Sequence, residues 1–143
     1  MRAWAVVGLA SVAAVVLSGC SGAEPGADAL AVGDCFNGVG LGDQVSSVPT
    51  VACSEPHEAE VFFVFEATSL DAYDLDAVTE AARETCIREF EVYVGVDYLK
   101  SELYFFSLAP AAETWEDGER SIPCAIATVD GTTVKGTLKD AYR

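Results

Sequence analysis

The chain has 143 residues, which is enough for one compact domain with one core and leaves no room for a second domain. It carries 23 acidic and 8 basic side chains and a formal net charge of −15. This charge excludes nucleic acid as a partner and disfavours direct binding to an anionic membrane or wall polymer. Three explanations of the acidic excess remain: solubility, repulsion from an anionic envelope, and binding to a basic partner.

The first twenty residues have the composition of a secretory signal. Arg2 supplies a single positive charge, residues 3–16 are almost wholly apolar, and LSG stands immediately before Cys20. This ending resembles the bacterial lipobox, in which the cysteine receives a diacylglycerol and the chain is cut just before it. We predict a signal peptide over residues 1–19 and a lipid anchor on Cys20, with an ordinary secretory signal as the alternative.

A flexible tether is predicted after the anchor, over residues 20–30, because residues 21–28 are rich in glycine, proline and alanine. Cleavage before Cys20 removes Arg2 and no acid, so the mature net charge is −15 − 1 = −16. The rest of the chain, residues 31–143, is the predicted folded domain.

The four remaining cysteines are even in number and lie in a secreted context, which indicates two disulfides. Zinc is the alternative, but structural zinc sites use closely spaced pairs such as C-x-x-C, and these cysteines are scattered. We favour Cys35 with Cys53, at the ends of neighbouring extended segments, and Cys86 with Cys124, one on a helix and one on a strand. Each bridge should add about 3–4 kcal/mol by restricting the unfolded chain. We expect no metal and no other cofactor.

The first half of the domain is predicted to form extended segments around a corner at Pro56. Gly33 and Asp34 form a turn before a short strand, and residues 45–51 form a second strand that Pro49 either places at an edge or ends early. Residues 58–65 change from alternation to an apolar run, as expected of a central strand covered on both sides.

A long helix is predicted over residues 77–94, with Asp76 as its N-cap and Gly95 as its left-handed C-cap. Apolar side chains recur at every fourth position and define one buried face. This face consists of Val78, Ala82, Cys86, Phe90 and Val94.

The remaining predicted elements are two strands, over residues 103–108 and 122–129, and one helical turn over residues 112–117 that buries Trp115. Asp130 with Gly131 predicts a hairpin that pairs residues 134–138 with the preceding strand. Together the elements indicate an α+β fold: a small, mostly antiparallel sheet covered by one long helix and stapled by two disulfides.

His57, Glu58 and Glu60 form the only cluster in the sequence that could support proton transfer or hold a metal. A histidine at a strand start more often bonds a backbone group, and two carboxylates without a third ligand make a poor site for a hard cation. Arg120 stands among many acids, so an ion pair is its expected role. There is no G-x-S-x-G elbow and no phosphate-binding glycine loop, so we predict that the protein is not an enzyme.

Four parts of the chain form a joint pattern: residues 32–36 (VGDCF), residues 51–61 (VACSEPHEAEV), Cys86 with residues 93–95, and Trp115, Gly118, Arg120 and Cys124. This pattern resembles the septum formation family of actinobacterial envelope proteins, over about residues 32–138. The resemblance implies an extracytoplasmic domain linked to septum formation and cell division, with paired cysteines and no established enzymatic activity.

We therefore predict a lipoprotein at the extracytoplasmic face of the cell membrane, whose non-catalytic domain binds another envelope protein. The candidate binding residues are His57, Glu58, Glu60, Trp115 and Arg120. The alternative is an envelope protein that binds a small ligand or a metal, or an enzyme, using His57 with Glu58 or Glu60. A passive spacer is the third hypothesis.

Overall fold

The strands form one antiparallel sheet of five in a computed structural model that describes residues 29–38 and 48–143. They are β1 (Cys35–Phe36), β2 (Thr50–Val51), β3 (Ala59–Glu66), β4 (Leu103–Ser107) and β5 (Ser121–Thr128), in the spatial order β2-β1-β3-β5-β4. The helices are α1 (Leu75–Val94), a 3-10 turn (Tyr98–Lys100) and α2 (Ala112–Glu116). The predicted α+β fold, with one long helix on a small antiparallel sheet, is confirmed.

Several predictions lie outside the described residues. They are the signal peptide over residues 1–19, the lipid anchor on Cys20, the tether up to residue 28, and residues 39–47, which include the start of the predicted second strand. Within the described ranges, no helix has both the length and the apolar composition needed to span a membrane.

Strand β3 is central because it pairs with β1 on one side and with β5 on the other. Its side chains alternate between two covered faces, as the apolar run predicts. Val61 packs with Phe36 on one face, whereas Phe62 packs against Phe90 of α1 on the other. Strand β2 lies at the edge, where Pro49 was expected to place it, but its described part is only two residues long.

Helix α1 begins two residues earlier than predicted, at Leu75, because Asp74 and not Asp76 caps it. Asp74 adopts an extended conformation and its Oδ1 accepts from the backbone N–H of Ala77 at 3.0 Å. The helix ends as predicted at Gly95, which has φ +86° and donates its N–H to the carbonyl of Glu91. The predicted buried face is confirmed in full: Val78, Ala82, Cys86, Phe90 and Val94.

Both predicted disulfides are present. Cys86 lies in the middle of the buried face of α1 and bonds Cys124 of β5, so this bridge fastens the helix to the sheet. Cys35 of β1 bonds Cys53, which follows β2, with their Cα atoms 5.2 Å apart. This second bridge closes the corner that leads into β3.

The predicted hairpin after β5 is wrong. Strand β5 already pairs with β3 and β4, so neither of its edges can accept the segment that follows Gly131. Residues 134–138, which we call the C-terminal segment, instead cross to the start of β3. There Val134 forms an isolated antiparallel bridge with His57, and the N–H of Gly136 donates to the carbonyl of Cys53 at 2.6 Å.

Candidate functional site

Three side chains that could bind a metal meet where β1, β3 and the C-terminal segment come together. Cys35 lies opposite Glu60 in the β1–β3 register, so both side chains point to the same face of the sheet. His57 precedes β3 and is held by two backbone hydrogen bonds to Val134, of 3.0 and 2.8 Å. The ligand atoms of Cys35, His57 and Glu60 all lie within 4.8 Å of one another, and all three residues are buried.

The carboxylate of Glu60 is completely buried, yet it accepts hydrogen bonds from three donors. Oε1 accepts from the hydroxyl of Tyr93 at 2.7 Å and from that of Thr137 at 2.5 Å. Oε2 accepts from the backbone N–H of Leu138. Because an ionised carboxylate in a core is stable only when donors replace its lost water, these residues explain how an acid fits inside an apolar strand.

Tyr93 must stay protonated to serve Glu60 as a donor, and its surroundings favour that form. Burial raises the pKa of the Tyr93 phenol to about 12, and the hydrogen bond to Glu60 adds to the effect. Both causes disfavour a phenolate, the first by removing water and the second because only the neutral phenol can donate to a carboxylate. The hydroxyl is therefore a donor throughout the physiological pH range.

The ring of His57 is fully buried, and among the described residues only one of its two nitrogens has a hydrogen-bond partner. Nδ1 lies 2.9 Å from the carbonyl oxygen of Glu55, and because a carbonyl only accepts, Nδ1 carries the hydrogen. In the neutral ring Nε2 then presents a lone pair, and it has no hydrogen-bond partner among the described residues. This is the bond to the backbone expected of a histidine at a corner, and it leaves the second nitrogen free for a ligand.

Glu58 is close in sequence but is held elsewhere. Its Oε2 accepts from the backbone N–H of Gly38 at 2.6 Å, and its own N–H donates to the carbonyl of Phe36. These contacts hold Glu58 against the chain just after β1. The structure thus groups Glu60 with His57 and Cys35, and Glu58 is not a member of that group.

Trp115 and Arg120 form a separate cluster at the far end of the sheet. Trp115 is buried on α2, as predicted, and packs in a core cluster with Ile122. The guanidinium carbon of Arg120 lies 3.9 Å from the centroid of the indole ring, and its Nη1 donates to the carbonyls of Trp115 and Glu119. An aromatic ring and backbone carbonyls thus take the place of the ion pair expected from the sequence.

Sequence patterns did not identify the residues that complete the environment of Glu60. Tyr93 enters the sequence analysis only as part of the family pattern, and residues 137 and 138 are predicted there to belong to a hairpin. One feature could have pointed to them: Glu60 is an acid inside an apolar strand, and a buried acid requires donors. It does not say which part of the chain supplies them.

Comparison with known proteins identifies a family. No curated protein and no solved structure matches the chain. A family model described as septum formation matches residues 14–130, which is more than half of the chain and includes both disulfides and the Cys35, His57 and Glu60 group. Membership implies an extracytoplasmic protein of the cell envelope with a role in septum formation. The chain belongs to the septum formation family.

Proposed function

We propose that this protein is a cell-envelope lipoprotein whose domain binds another envelope protein during septum formation and catalyses no reaction. The family match carries the proposal, because it links most of the chain to septum formation. The lipobox ahead of Cys20 supports attachment to the outer face of the cell membrane. The net charge of −16 expected after cleavage favours a partner with a basic surface.

The burial of the polar cluster supports binding over catalysis. His57 and Glu60 are both completely buried, and their neighbours are scaffold groups on α1 and the C-terminal segment. A general acid or base must come within hydrogen-bond reach of a substrate, which a side chain closed off in this way does not do. We therefore assign no general acid or base role to these residues, and we look for the contacts with the partner protein on the surface of the domain.

Three exposed apolar side chains, Val92, Leu99 and Tyr142, belong to segments near the C-terminal end of α1. These side chains are 76 %, 89 % and 69 % exposed. Their segments meet at Gly95, since Leu99 lies on the 3-10 turn that follows and the ring of Tyr142 lies beside the glycine. Exposed apolar side chains that belong to neighbouring segments are a common mark of a protein contact, which favours this end of the domain as the place where the partner binds.

The decisive experiment is complementation of a deletion strain with the full-length gene, combined with cross-linking in cells. We expect the deletion to give misplaced or incomplete septa under cell-wall stress and the wild-type gene to restore them. Leu99→Asp should abolish both rescue and cross-linking to an envelope protein. Leu75→Asp is the matched control, because Leu75 is also an exposed apolar residue but lies at the other end of α1, about 25 Å from Val92.

Three results would count against the proposal. Normal septa in the stressed deletion strain, with no cross-linked envelope protein, would remove the proposed role. Rescue by an unrelated acidic domain on the same tether would favour a passive spacer. A folded His57→Ala protein that keeps its cross-link but loses rescue would favour the enzyme or ligand-binding alternative.

Mass spectrometry of the N-terminus tests the anchor, which requires a lipid-modified Cys20.

A further inference from the structure

Nε2 of His57 is the starting point, because a fully buried nitrogen without a hydrogen-bond partner in the described part of the chain is unusual. His57 belongs to the group formed with Cys35 and Glu60, whose ligand atoms are within 4.8 Å of one another. The second ring nitrogen donates to the backbone carbonyl of Glu55. Metal-binding histidines have this arrangement, in which a backbone or carboxylate acceptor fixes the ring and leaves the other nitrogen for the ion.

Glu60 has one coordinating position left. A carboxylate offers about four lone-pair sites. Two donors occupy Oε1 and one occupies Oε2, so a lone pair remains on Oε2. The donors from Tyr93, Thr137 and Leu138 would hold the carboxylate in place, as the outer-shell partners of a metal ligand do.

Cys35 is the third member, but its sulfur is bonded to Cys53. A metal needs a thiolate, so the oxidised protein offers only two good ligands, and reduction would supply the third. The two bridges differ in access. Cys86 and Cys124 are both completely buried, whereas Cys53 is only half-buried beside the completely enclosed Cys35. An external thiol can therefore attack the sulfur of Cys53 while the other bridge stays intact.

We propose that Cys35, His57 and Glu60 form a site for a divalent metal ion such as Zn²⁺ that becomes available when the Cys35–Cys53 disulfide is reduced. The mixed set of one sulfur, one nitrogen and one oxygen ligand suits Zn²⁺. Three protein ligands leave the fourth tetrahedral position for water or for the freed Cys53.

An external dithiol can reduce this disulfide in two exchange steps. One thiolate of the dithiol attacks Sγ of Cys53, and the electron pair of the broken S–S bond leaves on Cys35. The second thiol of the reductant then displaces Cys53 from the mixed disulfide. The dithiol is oxidised to a disulfide, the two protein sulfurs gain two electrons, and binding of the metal to Cys35 keeps that thiol deprotonated.

The geometry needs only a small adjustment. Ligand bonds of about 2.0–2.3 Å place tetrahedral ligand atoms about 3.3–3.8 Å apart. The three groups are within 4.8 Å of one another, so a closure of about 1 Å completes the site. Loss of the disulfide frees β1 to make this movement.

A pair of variants tests the proposal, because both remove the same disulfide. In Cys53→Ser the thiol of Cys35 is permanently available, and in Cys35→Ser it is absent. We expect untagged Cys53→Ser to bind one Zn²⁺ per chain and to show thiolate-to-metal charge-transfer absorption with Co²⁺. Zn²⁺ should bind Cys35→Ser at least about a hundredfold more weakly, since losing even an outer-shell partner costs 10–100-fold.

Further substitutions in Cys53→Ser identify the other ligands. His57→Gln and Glu60→Gln should each weaken Zn²⁺ binding at least about tenfold. Glu58→Gln is the matched control and should leave it unchanged, because the carboxylate of Glu58 is held at Gly38. Equal Zn²⁺ affinity of Cys53→Ser and Cys35→Ser, or the same affinity after loss of His57, would overturn the proposal.

Wild-type protein provides a test that does not depend on how the variants fold. Treatment with a phosphine reductant should open Cys35–Cys53 before Cys86–Cys124, as shown by alkylation and peptide mapping, and Zn²⁺ should bind only after this step. Zn²⁺ binding of equal strength before reduction, or no binding by either the selectively reduced protein or Cys53→Ser, would exclude the site. Folding of Cys53→Ser only when Zn²⁺ is added at one equivalent would support it, because binding energy then contributes to folding.

Discussion

Tyr93 shows how one residue serves both the helix and the buried acid. Tyr93 lies on α1 next to Val94 of the buried helix face, and its hydroxyl donates a hydrogen bond to Glu60 on β3. The side chain therefore belongs to the polar cluster around Glu60. Burial and the hydrogen bond to Glu60 favour the neutral phenol, so the pKa of Tyr93 is raised.

This preference predicts how stability depends on alkaline pH. The folded protein keeps the Tyr93 proton up to a pKa of about 12, whereas an unfolded tyrosine releases it near 10.0. The stabilisation that this difference in pKa gives the folded state is fully present below pH 10 and is lost as pH rises to about 12. The free energy of unfolding should therefore fall across this window. Tyr93→Phe should flatten this part of the profile and cost about 1 kcal/mol at neutral pH through the lost hydrogen bond.

Urea unfolding at a series of pH values measures both effects. Tyr104→Phe is the control, because Tyr104 lies on β4 and packs in a different core cluster. If the free energy of unfolding of Tyr93→Phe fell with pH as steeply as that of the wild type, another group would be the cause of the loss of stability at alkaline pH.

At the scale of the elements, the end of α1 depends on Gly95. Its φ of +86° is strained for any residue with a Cβ, and an added Cβ would lie 2.6 Å from Cε1 of Tyr142. The ring of Tyr142 is largely exposed and can move aside, but the backbone cannot change without unwinding the cap.

Gly95→Ala should therefore destabilise the protein by about 1–2 kcal/mol, the cost of the left-handed conformation for an L-residue. Gly95→Asn should cost less, because asparagine tolerates this conformation. Adding Tyr142→Ala to Gly95→Ala should recover little of the loss. Thermal or urea unfolding measures the series, and full recovery in the double variant would mean that the contact with the ring, rather than backbone strain, sets the cost.

The sequence predicted the elements where local chemistry determines them. The spacing of four residues from Val78 to Val94 identified the buried helix face, and it also placed Cys86 where it could reach a strand. The prediction failed where a local pattern competes with the sheet as a whole. Asp130 with Gly131 does favour a turn, but β5 has a neighbour on each side, and only the strand order excludes the hairpin. The helix start was wrong because Asp74 and Asp76 are both suitable caps by residue type.

The candidate site could be predicted only in part for the same reason. His57 and Glu60 were identified because they lie close together in sequence. Cys35 joins them through the register of β1 on β3, and Thr137 and Leu138 come from 77 and 78 positions away. Contacts at such separations depend on strand order, which local patterns do not encode.

At the scale of the whole molecule, the excess of acidic side chains should make stability depend on salt. The ion pairs found in the described ranges, such as Arg83 with Glu80, involve exposed side chains and contribute little. Repulsion among 23 acidic side chains opposed by 8 basic ones should dominate. Salt screens this repulsion within about 10 Å at 0.1 M, so it should stabilise the domain.

We expect sodium chloride to raise the melting temperature by several degrees, equivalent to about 1 kcal/mol. A non-ionic osmolyte at the same osmolality is the control for general solvent effects. A lower melting temperature in salt would mean that favourable ion pairs outweigh the repulsion.

The crossing of the C-terminal segment to the start of β3 also sets the order in which the protein can mature. The ribosome makes Glu60 long before Thr137 and Leu138, so during translation this carboxylate has neither of these donors and must remain hydrated. A nascent chain that ends before residue 137 therefore cannot close this part of the interior. Completion of the native state must wait until the chain has been made through residue 138, which keeps the earlier part of the domain open until then.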